Sequence, residues 1–439
     1  MVSRFAAVGL VWLLWSFPAV GAELHVGPGK AFARIEEALA KAQSGDAILV
    51  HPREGGKPYE KPALYVTRPR ITIRSAVPSG QRVVLDGTGF DYSGRGSTPR
   101  AIAQFNRGAD GCTIEGFELV NAHNDSCNGA GVRINQANSV TVRDCVIRGN
   151  DMGIMSNGDG TDSTAVDQLI EDCLIHSNGN PKHAGYNHNL YLGGTSVTLR
   201  GCEVHSSLTG HNVKSRAHRT LVLACYVHDS ANREFDLVDG KGDTTAPGSD
   251  AVLAGNIIVK SPRCPGNRAV IHFGQDGGNE HDGTLWLAHN TIVTPFVSPV
   301  VTLSASKARA QLLNNIIWDG GAGPAGQKLA DAAKTTDRKE AVQGRTNWLS
   351  PGFGGDLGAL GLAQTFVAKP GQVPPFADPA KRDYRLTRAD SSVVNAGDPL
   401  PPQLFKLIGG KLPEYRPPLG ARPRAEEGKP DLGAWEYRP

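Results

Sequence analysis

The chain carries little net charge: 46 Lys and Arg residues against 43 Asp and Glu leave a formal charge of only +3 over 439 residues. This near-balance excludes a uniformly basic nucleic-acid-binding protein, because such proteins need a large excess of positive charge to hold the phosphate backbone. The 53 glycines and 29 prolines also fall short of the roughly 25–30% that is typical of low-complexity disorder. With 39% hydrophobic residues the chain can bury a large core, so we expect a folded protein.

Long apolar runs are missing from the chain after its first 22 residues. Residues 1–22 contain Arg4, the apolar stretch 5–20 and small residues up to Ala22, which is the pattern of a signal peptide. An uncleaved membrane anchor is the alternative, but an apolar core of 16 residues is short for spanning a bilayer. We therefore expect an exported protein, periplasmic or extracellular, with no membrane contact after the signal peptide is cleaved.

Seven cysteines in an exported chain would ordinarily suggest disulfides with one thiol left over. Four of them, however, occupy the same place in a repeated phrase, which predicts a stack of buried thiols. These four are Cys145, Cys173, Cys202 and Cys225. For Cys112, Cys127 and Cys264 the pattern is undecided, and a bond between Cys127 and another loop cysteine stays open.

One phrase of two short strands joined by a tight bend occurs seven times. Its copies are SVTVRDCVIRGN (139–150), QLIEDCLIHSN (168–178), SVTLRGCEVHSS (196–207), TLVLACYVHDS (220–230), AVLAGNIIVKS (251–261), TLWLAHNTIV (284–293) and AQLLNNIIW (310–318). In the slot that holds cysteine in the first four copies, the last three have Asn256, Asn290 and Asn315. A third short strand lies between successive copies: MGIMS (152–156), NLYLG (189–193), HNVKS (211–215), EFDLV (234–238) and AVIHF (269–273).

Three strands per repeat predict a coil that adds one turn with each repeat. Stacking the turns in parallel would place aliphatic side chains inside and align the Cys and Asn ladders at the bends. The predicted fold is therefore all-β, a right-handed parallel β-helix.

The ends of such a coil must be capped, because an open solenoid exposes its core. The helical spacing of Ile35, Ala38 and Leu39 predicts a short helix that plugs the first turn. We divide the chain into a signal peptide, an N-terminal cap with the first rung, the parallel β-helix and an extended C-terminal segment packed on it, and we expect a monomer. The boundaries of these four parts are 1–22, 23–60, 61–320 and 321–439.

The sequence resembles bacterial exported β-helix proteins of the pectate-lyase-like superfamily. The resemblance lies in the opening GPGKAFARIEEALAKAQSGDAILV, in the closing stretches DYRLTRADSSVVNAGD and DLGAWEY, and in the repeats between them. It implies the fold over nearly the whole mature chain. It does not imply one activity, because that superfamily includes lyases, hydrolases, epimerases, esterases and non-enzymatic proteins.

The third-strand column holds many ionisable residues. If Leu190, Val213 and Phe235 point inward on three successive rungs, their neighbours point outward together at rung spacings of about 4.8 Å. The outward set is Asn189, Tyr191, Asn212, Lys214, Glu234 and Asp236, flanked by His188, His211, Arg233, Arg216, His218, Arg219, Asp239 and His272.

A long, polar β-helix wall suits an extended polysaccharide better than a small apolar ligand. For an acidic polysaccharide, β-elimination needs a cation for the uronate carboxylate, for which Arg216 or Arg219 offers a planar fork. It needs a base at C5, for which Lys214 is the candidate, and an acid for the leaving oxygen, for which Tyr191 is the candidate. The other catalytic candidates are His188 and His211, and the predicted substrate-binding residues are Asn189, Asn212, Arg219, Arg233 and His272.

The stretch HNVKSR (211–216) resembles the Lys-Ser of the alginate and dermatan lyase group, which implies Lys214 as the base. That group places Arg-His-Gly on the following rung, where this chain reads REFDLVDG (233–240), so the acid partner of that group does not carry over to Arg233.

Three carboxylates, Glu234, Asp236 and Asp239, are candidate ligands for Ca²⁺, with a carbonyl from Asn212. The alternative is that they pair with Lys214 and cations beside it as a structural ladder. A further column, His176, His205 and His228, predicts either a surface stack of rings or a Zn²⁺ or Cu²⁺ site. The leading interpretation is a lyase of an acidic polysaccharide; a carbohydrate-binding or envelope-assembly protein, a uronate C5-epimerase and a glycoside hydrolase remain open.

Overall fold

The computed structural model describes residues 21–438 except 79, 240–245, 277–280, 388–389, 391 and 426–427. Residues 1–20 of the predicted signal peptide lie outside the described residues. In the part of the chain that the structure describes, no helix has the length and apolar character needed to cross a bilayer.

Three long parallel sheets form the walls of a coil, and each turn in its middle part contributes one strand to each sheet. Sheet 1 consists of Glu23–Val26, Ala47–Val50, Thr72–Ser75, Thr113–Glu115, Thr141–Arg143, Gln168–Glu171, Ser196–Arg200, Arg219–Leu223, Ala251–Ala254, Thr284–Ala288, Arg309–Leu313, Val342–Arg345 and Gly361–Ala363. Sheet 2 consists of Tyr59–Glu60, Val83–Asp86, Phe117–Val120, Val146–Arg148, Leu174–His176, Glu203–His205, Tyr226–His228, Ile257–Val259, Thr291–Val293, Ile316–Trp318, Trp348–Leu349 and Phe366–Val367. Sheet 3 consists of Leu64–Val66, Ala101–Asn106, Ala130–Asn135, Met152–Asn157, Leu190–Leu192, Val213–Ser215, Phe235–Val238, Ile271–Gly274, Val301–Leu303 and Ala330–Asp331.

The remaining elements are short. The α-helices are Ile35–Lys41, Arg338–Ala341 and Pro402–Leu407, and the 3₁₀ turns are Glu54–Gly56, Pro181–His183, Pro351–Ala359 and Pro379–Lys381. Two antiparallel pairs lie in the C-terminal segment, Phe376–Asp378 with Asp383–Leu386 and Pro413–Tyr415 with Ala421–Pro423. The first helix buries Ile35 and Ala38 against the first turn, which confirms the predicted N-terminal cap.

The strands form where apolar residues alternate, and the apolar half of each strand faces the inside of the coil. Leu190 pairs with Val213, Val213 with Phe235 and Phe235 with Ile271, and all four are fully buried. The predicted register of sheet 3 is therefore confirmed.

A ladder of asparagines fixes the bend between sheets 1 and 2. Asn290 Oδ1 accepts hydrogen bonds from the backbone N–H of Asn256 at 3.0 Å and from its Nδ2 at 2.9 Å. Asn290 Nδ2 in turn donates to Asn315 Oδ1 at 3.0 Å and to Leu253 O at 2.8 Å. The four predicted ladder cysteines continue this column toward the N-terminus, and all seven cysteines are buried free thiols.

The coil is longer than the sequence predicted. The boundary at residue 320 is wrong, because strands of sheets 1 and 2 continue to Phe366–Val367 and Asn347 extends the asparagine ladder. The next copy of the phrase, VQGRTNWL (342–349), is harder to recognise because a Gly- and Pro-rich loop and the helix Arg338–Ala341 separate it from the copy before it.

The extended C-terminal segment packs back along the coil, as predicted. Its Tyr384, Tyr415 and Trp435 form a second hydrophobic cluster with Trp318 and other side chains on the outside of sheet 2. At the bend residue Gly201, whose φ is +65°, the segment approaches so closely that the N–H of Gly420 donates to the Gly201 carbonyl. A Cβ at Gly201 would collide with this segment, so the bend needs glycine.

We predict that Asn290→Ala lowers the free energy of unfolding by about 3 kcal/mol, because it leaves buried amide groups of its neighbours without partners. Urea unfolding followed by circular dichroism would measure the change. Gln343→Ala is the matched control, since its amide accepts from Gln311 Nε2 on the exposed surface and its removal should cost less than about 0.5 kcal/mol. Equal effects of the two substitutions would contradict a structural role for the ladder.

Candidate active site

A cleft of about 790 Å³ lies on the outer face of sheet 3. Tyr191, Lys214, Asp236 and His272 occupy one register column of four successive strands, so their side chains meet on this face. The other residues that line the cleft are Ser126, Cys127, Asn128, Met152, Met155, His183, Gly185, Tyr186, Asn187, His188, His211, Arg216, Arg233 and Asp276.

Asp236 is the buried centre of the cleft. Its Oδ2 accepts from Lys214 Nζ at 2.6 Å, and its Oδ1 lies 2.7 Å from His272 Nδ1 and 3.3 Å from Arg233 Nη1. Burial raises the pKa of Asp236, but the hydrogen bond from His272 and the charges of His211 and Lys214 lower it further, to well below its ordinary value. Asp236 is therefore a carboxylate at neutral pH and orients the groups around it.

A second carboxylate, that of the half-exposed Asp276, bridges two cations. Asp276 Oδ2 lies 2.6 Å from Lys214 Nζ and 2.7 Å from Arg216 Nη2. Partial burial raises the pKa of Asp276, whereas the hydrogen bond from Lys214 and the charges of Lys214 and Arg216 lower it to below its ordinary value. The pair of cations is thus arranged to hold a carboxylate.

Two histidines stack along the cleft, with ring centroids 5.1 Å apart for His188 and His211 and 5.6 Å apart for His188 and Tyr191. The backbone N–H of His211 donates to His188 Nδ1, and that of Arg233 donates to His211 Nδ1. Each neutral ring therefore carries its proton on Nε2. Burial lowers the pKa of His211 to about 4 and, with the charges of His211 and Lys214, lowers that of His188 to well below its ordinary value.

Tyr191 and Arg216 contact one another at the outer edge of the column. Arg216 Nε donates to Tyr191 Oη at 3.0 Å, and Arg216 Nη1 donates to the carbonyl of Asp239 at 2.7 Å. The phenol oxygen is therefore an acceptor toward Arg216, which leaves its own proton free to point into the cleft.

The cleft brings together all five residues that the sequence proposed as catalytic and two of the five proposed for substrate binding. They are Lys214, Arg216, Tyr191, His188 and His211, with Arg233 and His272. Their roles are not tested by position alone and stay predictions.

Three residues expected on the outer face lie elsewhere. Asn189, Asn212 and Glu234 are fully buried, because they form the bend before each strand of sheet 3. Asn189 Nδ2 donates to Asn212 Oδ1 at 2.9 Å, and Asn212 Nδ2 donates to Glu234 Oε2 at 2.6 Å, which makes a second polar ladder. The predictions that Asn189 and Asn212 bind substrate and that Glu234 is a metal ligand are wrong.

Arg219 is also misplaced by the sequence prediction. After Arg216 the chain turns the corner from sheet 3 to sheet 1, and Arg219 begins the strand Arg219–Leu223 on that other wall. Its exposed side chain does not line the cleft, so Arg219 is not a partner of Lys214.

The proposed calcium ligands do not form a site together. Glu234 belongs to the buried ladder, Asp236 is surrounded by cations and imidazoles, and Asp239 Oδ1 accepts the backbone N–H of Asp276. Among the residues that the structure describes, no group of three or more His, Cys, Asp or Glu side chains is arranged to hold a metal ion. The donor set therefore does not fit Ca²⁺.

The column His176, His205 and His228 is a stack of rings on sheet 2, with centroid spacings of 4.8 Å between successive members. This is the ring-stack alternative that the repeat predicted, and it lies on a different wall from the cleft.

Several cleft residues escaped prediction from sequence. Asp276 follows a sheet 3 strand in a loop outside the repeat, and Met152 and Met155 lie on a sheet 3 strand whose own residues include no ionisable side chain. Tyr186, 76% exposed at the rim, comes from the long insertion between sheets 2 and 3. The unusual length of that insertion was the one available signal.

Comparison with known proteins supports the fold. A family model described as "Right handed beta helix region" matches residues 130–323. Pectate lyase Pel9A is similar at 12% identity and a TM-score of 0.53, over 96% of this chain and 97% of that one. The PL6 family polysaccharide lyase Pedsa3628 from Pseudopedobacter saltans has 10% identity and a TM-score of 0.32, over 84% and 96% of the two chains. No curated protein matches. The chain is thus a right-handed parallel β-helix, as the repeats predicted.

We predict that Asp236→Asn lowers the free energy of unfolding at pH 7 by about 3 kcal/mol, because buried cations lose their counter-charge. The lowered pKa of Asp236 contributes stability that is present above the ordinary value of about 3.9 and lost as the pH falls. The difference between wild type and variant should therefore shrink in urea titrations below about pH 4.

Asp383→Asn is the control for this substitution, because Asp383 pairs with the exposed Arg385 and its loss should cost less than about 1 kcal/mol. A difference that stays constant down to low pH would contradict the role assigned to Asp236.

Proposed function

We propose that this protein is an exported, monomeric polysaccharide lyase that acts in the periplasm or outside the cell. It cleaves an acidic, uronate-containing polysaccharide by β-elimination in the cleft on sheet 3. Its catalytic groups are Lys214, Arg216 and Tyr191.

The observation that carries this proposal is the carboxylate of Asp276 held between Lys214 and Arg216. A protein carboxylate in that position occupies the place that a uronate carboxylate would take. Because Asp276 is 45% exposed on its side chain, a polymer can displace it without unfolding the coil. Arg216 would then neutralise the sugar carboxylate, which makes the neighbouring C5 proton more acidic.

Lys214 is the proposed base at C5. As a neutral amine, Lys214 would donate one N–H to Asp236 Oδ2 and the other to the uronate carboxylate that replaces Asp276, which leaves its lone pair for the C5 proton beside that carboxylate. Asp236 thus fixes the direction of the amine. The elimination moves the C5 proton to Lys214, forms the C4–C5 double bond and breaks the C4–O bond.

Tyr191 is the proposed acid for the leaving oxygen. It lies one turn from Lys214 in the same register column, and the hydrogen bond from Arg216 Nε leaves its O–H available to the substrate. The leaving sugar would take this proton.

His188 and His211, the other two catalytic candidates from the sequence, serve as neutral hydrogen-bond donors in this proposal. Their Nδ1 atoms already accept backbone N–H groups, and their lowered pKa values keep both rings uncharged at neutral pH. Their Nε2–H groups can therefore bind sugar hydroxyls without repelling the cations beside them.

The shape of the cleft agrees with a polymeric substrate. It is open along the wall, with Tyr186 exposed at its rim and Met152 and Met155 offering apolar surface to a sugar face. A pectate lyase with the same fold is consistent with a polysaccharide substrate.

We predict that the purified protein generates the ultraviolet absorbance of a new unsaturated uronate on one member of a panel of acidic polysaccharides. Lys214→Met should reduce this rate at least about 100-fold, because the base is lost. Lys381→Met, at an exposed lysine of the C-terminal segment, is the control and should be as active as wild type. Equal rates are expected with Ca²⁺ and with EDTA, since the predicted calcium ligands do not meet.

Unchanged turnover by Lys214→Met would remove Lys214 as the base. Retention on an immobilised polymer without any unsaturated product would instead identify a binding protein, and inverted C5 configuration without chain cleavage would identify an epimerase.

Asp276→Ala provides a separate test of the carboxylate position. We predict that it tightens binding of the acidic polymer about threefold to tenfold, because the substrate no longer competes with a protein carboxylate. The dissociation constant would be measured by isothermal titration, beside Asp282→Ala as an exposed control nearby. Weaker binding by Asp276→Ala would show that Asp276 contacts the ligand rather than standing in for it.

A further inference from the structure

Asp236, His272 and Ser304 form a hydrogen-bonded chain at the edge of the cleft. Asp236 Oδ1 lies 2.7 Å from His272 Nδ1, and His272 Nε2 lies 2.7 Å from Ser304 Oγ. Asp236 lies in the sheet 3 strand Phe235–Val238, and His272 lies in the next one, Ile271–Gly274. Ser304 directly follows the strand after that, Val301–Leu303. The elimination proposed above does not use Ser304.

The proton arrangement in this chain is defined by its charged end. Asp236 is ionised and can only accept, so His272 must donate through Nδ1–H. A neutral His272 then presents the lone pair of Nε2 to the Ser304 hydroxyl. This is the direction in which a histidine withdraws a proton from a serine nucleophile.

The Ser304 hydroxyl is held in place beside a residue of the cleft, His272. Its oxygen accepts the backbone N–H of Gln275 at 2.7 Å, and the Gln275 carbonyl lies at 3.1 Å, farther than His272 Nε2. Ser304 is partly exposed, whereas His272 is buried to 7% exposure and lines the cleft. An ordinary surface serine would have neither the fixed orientation nor the buried imidazole.

We propose that Ser304, His272 and Asp236 are the nucleophile, base and orienting carboxylate of a second activity, the hydrolysis of a carboxylic ester borne by a polymer in the cleft. The positive charge of Arg216, on the same face, favours an acidic polymer and stabilises the negative charge that develops during attack. This activity does not depend on the elimination proposed above.

The reaction balances with water as the only other reactant. Ser304 Oγ bonds to the ester carbonyl carbon while its proton passes to His272 Nε2. The ester C–O bond then breaks, and the alcohol leaves with that proton. Water repeats the two steps on the acyl-serine, which releases the acid and restores Ser304.

The full chain would be incubated with p-nitrophenyl acetate and, separately, with a fluorophosphonate probe followed by peptide mass spectrometry. The expected results are ester hydrolysis and covalent labelling of Ser304. Ser304→Ala and His272→Gln should each reduce hydrolysis at least about 100-fold. Ser306→Ala, an exposed serine two residues farther on, should match wild type.

A probe that leaves Ser304 unlabelled, or hydrolysis by Ser304→Ala at the wild-type rate, would overturn the proposal. Labelling of Ser304 in His272→Gln at the wild-type rate would also overturn it, because a serine held only for structural reasons does not need the imidazole. Ester hydrolysis yields no unsaturated uronate, so its failure and the failure of the proposed lyase are read from different products.

Discussion

The structure depends on the register with which successive turns of the coil stack. At a rung spacing of about 4.8 Å, each residue of a strand lies directly over its counterpart in the next turn. Tyr191, Lys214, Asp236 and His272 are far apart in the chain and meet only because Leu190, Val213, Phe235 and Ile271 are aligned inside. A slip by one residue would turn Lys214 into the core and dissolve the cleft.

Two polar ladders hold this register where aliphatic contacts alone would not. One consists of asparagines between sheets 1 and 2; the other runs between sheets 2 and 3 and changes from asparagine to Glu234 directly behind the cleft. Burial raises the pKa of Glu234, and the buried Lys260, 3.6 Å away, offsets that cost. The strands that carry Lys214 and Asp236 therefore begin at positions fixed on both sides.

The fold and the gathering of the cleft residues could be predicted from the sequence because both follow from a repeated period. The inward–outward alternation of side chains along a strand does not extend into the bends. For this reason the sequence predicted Asn189, Asn212 and Glu234 on the outer face, whereas the structure buries them. Asp276 could not be found because its loop belongs to no repeat, and the last turns of the coil were missed because long insertions hide their strands. The loops and the bends between sheets do not follow the repeated period, so only the structure shows where their side chains lie.

The C-terminal segment returns from the end of the coil and touches turns that lie far back along it. Gly420 binds the Gly201 bend, Arg382 binds Asp229, and the Asp431 carbonyl binds His289. A solenoid can ordinarily gain or lose a repeat, because each turn contacts only its neighbours. Here the C-terminal segment has a fixed length and is bonded to several turns, so the number of repeats is fixed as well. Inserting or deleting one turn between Gly201 and His289 would shift these bonding sites away from their partners in the segment.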